Sequence, residues 1–512
     1  MSQRFFKPTI VVACMTMISR LMGFARDILF ANLFGVNAAT DAFFVAFKIP
    51  NFLRRLFAEG AFAHAFVPVL ADYKSKGSHA ALKLFIDRTA GSLTLVLTLL
   101  TLIGIIAAPI LIMLFAPGFL WEGDQYQLAV QLLQITFPYL LFISLTAFAG
   151  GILNTHSQFA IPAFTPVFLN ICMIIAAIWL APLMAEPVTA LAWGVLIAGV
   201  VQLLFQIPAL IRLGLMPRPR LGFKDAGVRR MMGLMLPAIF GVSVVQINLL
   251  VDNLFASFLA SGSVSWLYYS DRLVEFPIGI FGVALSTVIL PHLAKHHTDD
   301  DQQAFSQALD WGLKWVLLIG LPATLGLTLL AEPLLSTLFQ YNEFGANDVQ
   351  MATKSLAAFS LGLLAFILIK VLVPGFTSRH DTKTPVRLGI YSMLCNLVLN
   401  LALIAPLAHA GPALATSLAA YLNAGWLLLL LLKRQIYQPV GQWWRFLLRV
   451  ILANAAMGFF LYRFTEADLW LTWNLSQRSL QLALMIGLAM LVYTLALLLL
   501  GFRPRQLGQH PS

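Results

Sequence analysis

The chain consists of long apolar runs separated by short polar segments. A run of about 20 apolar residues is the length that a helix needs to cross the hydrocarbon core of a bilayer. Counting such runs predicts roughly fourteen membrane-spanning helices and an all-α polytopic membrane protein. The approximate limits are 9–33, 41–71, 86–114, 127–152, 159–181, 188–211, 230–258, 264–291, 310–336, 348–375, 385–405, 411–432, 443–463 and 479–501. The second run is long and contains Pro50, so we expect a kink or break at that proline.

The charge of the connecting segments alternates along the chain. Segments after even-numbered spans, and both tails, are rich in Lys and Arg. Segments after odd-numbered spans hold almost none, with Arg463 and Arg478 as exceptions. Because cytoplasmic loops carry the excess of basic residues, this alternation predicts that both termini are cytoplasmic.

Composition excludes several other classes of protein. The 512 residues are 60% hydrophobic and 11% charged, against about 25% charged residues in soluble domains. The net charge of +11 would suit a nucleic-acid partner, but no polar stretch is long enough for such a domain, so we expect none. The three cysteines lie in separate apolar runs and predict neither a disulfide nor a metal site. Arg20 and Arg26 interrupt the first apolar run, which favours a retained helix over a cleaved signal peptide.

A weak internal repeat relates the two halves of the chain. An ungapped shift of 223 residues aligns three landmarks at helix ends, which favours a repeat over chance. They are Pro68 with Pro291, Pro162 with Pro385, and 190–192 with 413–415. A six-helix repeat returns to its starting side, so the halves would be related by a pseudo-two-fold axis along the membrane normal. We predict lobes at 1–223 and 224–440, followed by two added helices and the tail at 441–512.

Charged residues inside predicted spans are the main functional signal. The first two spans contain five basic residues opposed by three acids: Arg20, Arg26, Lys48, Arg54 and Arg55, with Asp27, Asp41 and Glu59. A charge at the bilayer centre costs at least about 2.5–3.5 kcal/mol, so these side chains should face a protein-lined or watery cavity. Surplus arginine in such a cavity predicts an anionic cargo, because the guanidinium fork matches phosphate and carboxylate. Helical phase is disturbed by Pro50 and leaves open whether Arg54 or Arg55 faces the cavity.

The eighth span carries a second charged cluster formed by Asp271, Arg272 and Glu275. Arg272 and Glu275 are spaced i,i+3 and can pair on one face of a helix. The alternative to a cargo site is a self-satisfied ion pair that only locks helices together. Under the repeat the second and eighth spans correspond, so both clusters should flank one central cavity. Lys370 in the tenth span is a further candidate cation for that cavity.

Polar side chains in the C-terminal half form a further candidate site. Asp252, Asn396, Asn400 and Thr416 lie in the seventh, eleventh and twelfth spans. Such oxygen-rich side chains could bind a hard cation such as Na⁺, or Asp252 could carry a proton. The alternative is ordinary hydrogen bonding between helices. The sequence holds no nucleotide-binding or hydrolase motif in a supporting context, so we predict a transporter driven by an ion gradient or the membrane potential, not an enzyme.

Four long segments of the chain are distinctive: SRLMGFARDILFANLFG, TDAFFVAFKIPNFLRRLFAEGAFAHAFVPVLADYKSK, SGSVSWLYYSDRLVEFPIGIFGVALSTVILP and KVLVPGFTSRHDTKTPV. They resemble the corresponding segments of the MurJ (MviN) family of bacterial lipid II flippases. The resemblance covers essentially the whole chain and implies the fold of the multidrug/oligosaccharidyl-lipid/polysaccharide exporter superfamily. It implies a cargo of undecaprenyl-pyrophosphate-linked peptidoglycan precursor and a role in cell-wall synthesis and cell shape. The family's cavity residues match Arg20, Arg26, Arg54 and Arg272, with Asp41 as the acidic partner.

The resemblance carries further expectations. It selects Arg54 over Arg55, places the protein in the bacterial inner membrane and assigns the last two helices to a groove for the lipid tail. Some relatives hold Na⁺ at positions matching Asp252, Asn396, Asn400 and Thr416. Here Asn400 stands where a carboxylate can occur, which lowers the charge of that site. A monomer that contacts the cell-wall synthesis machinery is expected; the alternatives are another exporter of this fold, for a lipid-linked oligosaccharide or a drug, and a membrane glycosyltransferase.

Overall fold

The computed structural model describes residues 3–56, 62–298, 301–465 and 470–502, and within them it contains helices and no strands. The helices up to residue 256 are α1 (Gln3–Phe34), α2 (Ala38–Arg54), α3 (Phe62–Lys76), α4 (His79–Ile106), α5 (Ala108–Phe115), α6 (Gly123–Thr136), α7 (Tyr139–Thr155), α8 (Ala160–Phe164), α9 (Pro166–Ile175), α10 (Thr189–Arg212) and α11 (Ala226–Ala256). The others are α12 (Ser263–Pro277), α13 (Val283–Thr298), α14 (Gln302–Leu329), α15 (Ala331–Phe339), α16 (Ala346–Thr377), α17 (Lys383–Leu407), α18 (Ala410–Lys433), α19 (Trp443–Phe464) and α20 (Leu475–Leu499).

These helices confirm the polytopic all-α class. Eleven helical segments of the described residues are long and apolar enough to cross a membrane, while the count of fourteen stays a prediction. Several predicted spans are interrupted at prolines, as where Pro138 separates α6 from α7. Pro50 behaves differently, because α2 continues through it and ends at Arg54. The chain is therefore not broken at that proline, where packing of the buried part of α2 against α6 favours the continuous helix, while a kink there stays a prediction.

The chain divides into two compact units, Met1–Ser265 and Trp266–Ser512. This boundary lies beyond the lobe boundary predicted from the repeat, which itself stays a prediction. In the structure α11 packs against α3 and so belongs with the first unit. The backbone N–H of Gly118 also donates to Ser257 Oγ at 3.1 Å, just after α11 ends.

The core of the first unit joins α3, α4, α7, α10 and α11. Its centre is a group of stacked rings that includes Phe62, Phe66, Phe85 and Phe148. The basic segment 213–225 lies along α4, where a Cβ on Gly91 would come within 2.3 Å of the Arg220 carbonyl oxygen. That close approach requires glycine.

In the second unit α16 is the central helix and packs against α14 and α18, while α17 packs against α18. α19 and α20 pack together, and α19 lies against α14. Their shared apolar core includes Val450, Met457, Leu482 and Tyr493. The two added helices predicted from the repeat are thus attached to the second unit through α14.

The landmarks of the repeat fall at comparable places in the helices. Pro68 and Pro291 lie inside α3 and α13. Pro162 lies inside α8 and Pro385 in the first turn of α17. The matched apolar segments open α10 and α18. The aligned landmarks thus fall within helices in both halves, and the repeat itself stays a prediction.

Candidate functional site

The two arginines of α1 lie in different environments. Arg26 is buried, whereas Arg20 is exposed. Six residues separate them, so at 3.6 residues per turn their side chains leave the helix about 120° apart. One side of α1 therefore packs into the first unit while Arg20 points away from that packing.

Arg26 is neutralised by its neighbour in the sequence. Its Nη2 lies 2.6 Å from Asp27 Oδ1, and its Nε donates to the same oxygen at 3.0 Å. The Nη1 group donates to Asn170 Oδ1 at 3.1 Å and approaches Met173 Sδ at 3.6 Å, both on α9. The guanidinium also lies over the ring of Phe30. Paired and hydrogen-bonded in this way, a buried charge becomes tolerable inside a membrane protein.

Asp41 is 2% exposed and caps the N-terminal end of α12. Its Oδ2 accepts a hydrogen bond from the Gly262 N–H at 2.7 Å, and its Oδ1 accepts one from the Ser265 N–H at 2.8 Å and another from the Ser265 hydroxyl. The first N–H groups of a helix lack intrahelical partners and carry a partial positive charge, so a carboxylate is well suited to them. No arginine pairs with Asp41 among the described residues; the partner of this carboxylate is the electropositive N-terminal end of α12.

The remaining basic residues of α2 lie near its C-terminal end and are partly buried. Lys48 Nζ donates to Asn253 Oδ1 on α11 at 2.8 Å. Arg54 Nε donates to Asn51 Oδ1 at 3.0 Å. Arg55 is buried to a similar extent, so burial does not distinguish it from Arg54. The predicted candidate Glu59 lies outside the described residues.

In the second unit, the predicted pairing of Arg272 is confirmed. Its Nη1 lies 2.9 Å from Glu275 Oε2, and its guanidinium lies over the ring of Tyr268, whose hydroxyl accepts from Nη2 at 3.3 Å. The Arg272 side chain retains 31% of its exposure. Asp271 is partly buried and Lys370 is exposed on α16. Arg272 is thus oriented but still accessible.

The structure brings together three of the four polar residues predicted for a cation. Asn396 and Asn400 are fully buried on α17. Asn400 Nδ2 donates to Asn396 Oδ1 at 3.1 Å, and Thr416 Oγ1 of α18 donates to the same oxygen at 3.4 Å. Asp252 belongs to the first compact unit. Amide and hydroxyl oxygens are ligands that fit a hard cation.

Other polar residues in the structure were not candidates from the sequence. The most relevant to the site is Asn170, whose amide contacts both Arg26 and the backbone of α1. In the second unit, buried Asp310 of α14 accepts hydrogen bonds from the Tyr437 hydroxyl and from Trp443 Nε1. These bonds join α14 to the segment before α19 and to the first residue of α19. Asp310 also pairs with Lys314 of its own helix. Apart from Lys314, which is four residues from Asp310, these side-chain partners are more than a hundred residues away in the chain, so local spacing carried no signal of them.

Comparison with known proteins adds the family. A family model described as lipid II flippase MurJ matches residues 30–481. A probable lipid II flippase MurJ of Vibrio cholerae is 48% identical to this chain, over 99% of the chain and 98% of that protein. The chain belongs to the MurJ family.

Other MurJ relatives and solved structures agree with this membership. The lipid II flippase MurJ of Burkholderia cenocepacia is 43% identical over 87% of either chain. A structure of lipid II flippase MurJ in an inward closed conformation superposes with a TM-score of 0.80 at 29% identity, covering 95% of this chain and 98% of that one. An inward-facing MATE transporter superposes with a TM-score of 0.70 at 15% identity, over 83% of this chain and 97% of that one, which shows a shared fold. MurJ membership and the apolar helices make this chain a multi-pass protein of the bacterial inner membrane.

Proposed function

We propose that this chain is a flippase that moves lipid II from the inner to the outer leaflet of the cytoplasmic membrane for cell-wall synthesis. The observation that carries the proposal is its 48% identity, over 99% of its length, to a probable lipid II flippase MurJ. The shared fold of MATE transporters would by itself leave the cargo open. Identity over the whole chain favours the cargo named for the relatives.

The accessible arginines support an anionic cargo. Arg20 is exposed, Arg272 keeps part of its exposure, and Arg54 is half-buried. Their guanidinium groups can each present two parallel N–H donors to a phosphate oxygen pair. An exporter of cationic drugs would need acidic residues in these places. We assign Arg20, Arg26 and Arg272 to the pyrophosphate, and Arg54 and Asp41 to the shape of its surroundings.

The proposed mechanism is alternating access. The arginines bind the pyrophosphate from the cytoplasmic side while the polyprenyl tail stays in lipid, along the groove assigned to α19 and α20. Opening to the other side admits water around the headgroup. Because the attraction between two charges falls as the local dielectric rises, hydration would weaken each arginine–phosphate pair and release the cargo.

The same proposal includes the orientation, the assembly and the coupling ion. Both termini face the cytoplasm, and the chain acts as a monomer that contacts the cell-wall synthesis machinery. The energy comes from the membrane potential or from an ion gradient. In the latter case Na⁺ would be held by oxygens of Asn396, Asn400 and Thr416, or a proton would be carried by Asp252.

Depletion of the protein in living cells tests the function. We expect lipid II to accumulate on the inner leaflet, measured by its accessibility to an enzyme or probe added from outside the cytoplasmic membrane. Accumulation on the outer leaflet together with loss of polymer would instead indicate a polymerising enzyme. Unchanged lipid II on both leaflets would overturn the proposal.

The coupling ion is tested with purified protein in sealed vesicles. If Na⁺ is the coupling ion, lipid II translocation should rise with an inward-directed Na⁺ gradient, and Asn396→Ala should remove that dependence. Asn454→Ala, which removes another buried asparagine from a different helix, serves as the control. If the original protein translocates lipid II at the same rate with and without the Na⁺ gradient, Na⁺ binding at this site does not drive transport.

A further inference from the structure

The side chain of Asn170 bridges the two turns of α1 that carry the cargo arginines. Asn170 is 6% exposed and lies on α9. Its Nδ2 donates to the Ser19 carbonyl oxygen at 3.0 Å, directly before Arg20. Its Oδ1 accepts from Arg26 Nη1 at 3.1 Å. Gly23 lies between these turns and faces the amide.

The chemistry of the two contacts fixes the orientation of the amide. The Ser19 carbonyl oxygen can only accept a hydrogen bond, and the Arg26 guanidinium can only donate. The bridge therefore needs a side chain with a donor at one end and an acceptor at the other. Aspartate would supply only acceptors, and leucine, of similar size, would supply neither.

The segment that carries Asn170 is itself held in place. α8 ends at Phe164 and α9 begins at Pro166, so the helix is interrupted at Thr165. Gln202 Nε2 donates to the Thr165 carbonyl oxygen at 3.2 Å, and Gln206 Nε2 donates to its hydroxyl at 3.1 Å. Both glutamines are 1% exposed. A buried brace of this kind gives Asn170 a defined position from which to act.

We propose that Asn170 is a positioning residue for cargo binding, a role that rests on the proposed function. Arg26 divides its donors between Asp27 on its own helix and Asn170 on α9. Without Asn170, Asp27 would keep the ion pair and the tie from α1 to α9 at Ser19 would be lost. Arg26 would keep only its contact with Met173 Sδ at 3.6 Å on α9. The turns of α1 that bear Arg20 and Arg26 would then no longer be anchored to the same side chain, and the two arginines would bind the pyrophosphate more weakly.

The first test measures binding of lipid II to the full chain in lipid nanodiscs. Asn170→Leu should weaken binding about tenfold, the scale of losing hydrogen bonds to a charged group. The matched control is Thr136→Val, because Thr136 of α6 is also buried and its hydroxyl donates within its own helix, to the Leu132 carbonyl oxygen at 2.9 Å. The control should bind as the original chain does. Equal binding by both variants would overturn the proposal.

A double-mutant cycle separates positioning from simple packing. In an Arg26→Lys background, Asn170→Leu should cost much less than in the original chain, because a single ammonium cannot reproduce the fork that donates to Asp27 and Asn170 together. An undiminished effect would mean that Asn170 acts independently of Arg26 and would overturn the role. Thermal unfolding of each variant in the same nanodiscs identifies any that fail to fold.

Asn170→Asp is the second variant if binding in the Arg26→Lys background is too weak to titrate. The added carboxylate would pair with Arg26 and repel the pyrophosphate, so this variant should bind lipid II more weakly than Asn170→Leu. A role in filling space predicts the reverse order, because aspartate is closer in shape to asparagine. Failure of the original chain to bind lipid II would count against the proposed function, whereas normal binding by all Asn170 variants would count against this inference alone.

Discussion

At the scale of single residues, Arg26 and Arg272 meet the cost of a charge in the membrane in different ways. Arg26 is 3% exposed and paired with Asp27. Arg272 keeps about a third of its side-chain exposure and pairs with Glu275. A charge buried as deeply as that of Arg26 destabilises the folded protein unless its partners are present, whereas a half-exposed ion pair contributes little to stability. Arg272 is therefore the residue at which a substitution should report cargo binding most directly.

Arg272→Lys keeps the charge and removes the planar fork. The lysine cannot contact Glu275 and the Tyr268 ring in the same way while presenting two parallel donors to a phosphate. We expect about tenfold weaker lipid II binding, or about 1.4 kcal/mol, and impaired complementation of a depleted strain. Arg463→Lys, at an exposed position, should behave as the original chain. Full complementation by lysine at Arg20, Arg26, Arg54 and Arg272 would contradict two-pronged phosphate binding.

Asp41→Ala should destabilise the first unit. The substitution leaves the N–H groups of Gly262 and Ser265 without their acceptor in a buried place. Each such group costs about 1–3 kcal/mol. Thermal unfolding in detergent should therefore show a clear decrease in Tm, while Asp124→Ala, in the exposed first turn of α6, should change it little. Equal decreases for the two variants would argue against the cap.

At the scale of elements, the polar ends of helices tie the segments outside the membrane to the bundle. Asp225 caps α11, accepting from the N–H groups of Gly227 at 2.9 Å and Val228 at 3.2 Å. Its other oxygen pairs with Arg88 of α4 at 2.6 Å. Burial raises the pKa of Asp225, but the hydrogen bonds from Arg88 and the two N–H groups outweigh it, so the pKa lies below its ordinary value.

This lowered pKa gives Asp225 a predictable pH dependence. Its stabilisation is fully present above the unfolded pKa of about 3.9 and is lost as the pH falls through the lower folded value. Asp225→Asn keeps a capping oxygen and removes the charge, so it should lower Tm at pH 7. The difference in Tm between the two proteins should narrow as the pH falls below 4. A difference that stays constant down to pH 3 would show that the charge is not responsible.

Arg478 is an exception to the alternating charge of the connecting segments, and its contacts explain why it is there. It lies in the first turn of α20 and is 5% exposed. Its guanidinium donates to the carbonyl oxygens of Ser336 at 2.8 Å, Gln340 at 3.2 Å and Leu471 at 3.1 Å. Two of these carbonyls lie at the C-terminal end of α15 and just beyond it, where a cation is favoured. Arg478 therefore acts as a cap, which accounts for its place outside the basic loops.

Arg478→Met should destabilise the attachment of α20. The substitution keeps the length of the side chain and removes the donor from the carbonyl oxygens of Ser336 and Gln340, at a cost of about 1–3 kcal/mol for each buried group. The Leu471 carbonyl oxygen still accepts from Gln340 Nε2 at 3.4 Å. The expected result is a lower Tm and faster proteolysis between α19 and α20. Arg463→Met, exposed at the end of α19, is the matched control. Similar behaviour of the two variants would mean that the cap contributes nothing.

At the scale of the whole molecule, the net charge of the cargo couples its movement to the membrane potential. A cell interior that is negative favours outward movement of an anionic headgroup by about 2.3 kcal/mol per charge for each 100 mV. In vesicles with the termini inside, an inside-negative potential should therefore speed export of lipid II from the inner to the outer leaflet. The rate should fall when an ionophore collapses the potential. An unchanged rate would exclude the potential as the driving force.

Prediction from the sequence succeeded where the interacting residues are close together in the chain. The pairing of Arg272 with Glu275 follows from i,i+3 spacing on one helix, and the structure confirms it. Of the kink or break expected at Pro50, the break does not occur, because packing of α2 against α6 outweighs the local preference of proline. Prediction from the sequence did not find Asn170, which is 144 residues from Arg26, since spacing says nothing about contacts between distant helices. For the same reason the sequence did not reveal that Asp41 accepts hydrogen bonds from the N–H groups at the start of α12.

The sequence alone determined that this is a polytopic helical membrane protein and which charges within its apolar runs need an explanation. These follow from the cost of transferring each residue into hydrocarbon, a property of the local composition. Only the tertiary structure decided how those charges are satisfied: Arg26 by Asp27 and Asn170, Asp41 by the end of α12, and Arg478 by the end of α15. Partners of this kind are set by the packing of helices far apart in the chain, because a buried polar group must find its hydrogen bonds wherever the fold brings them.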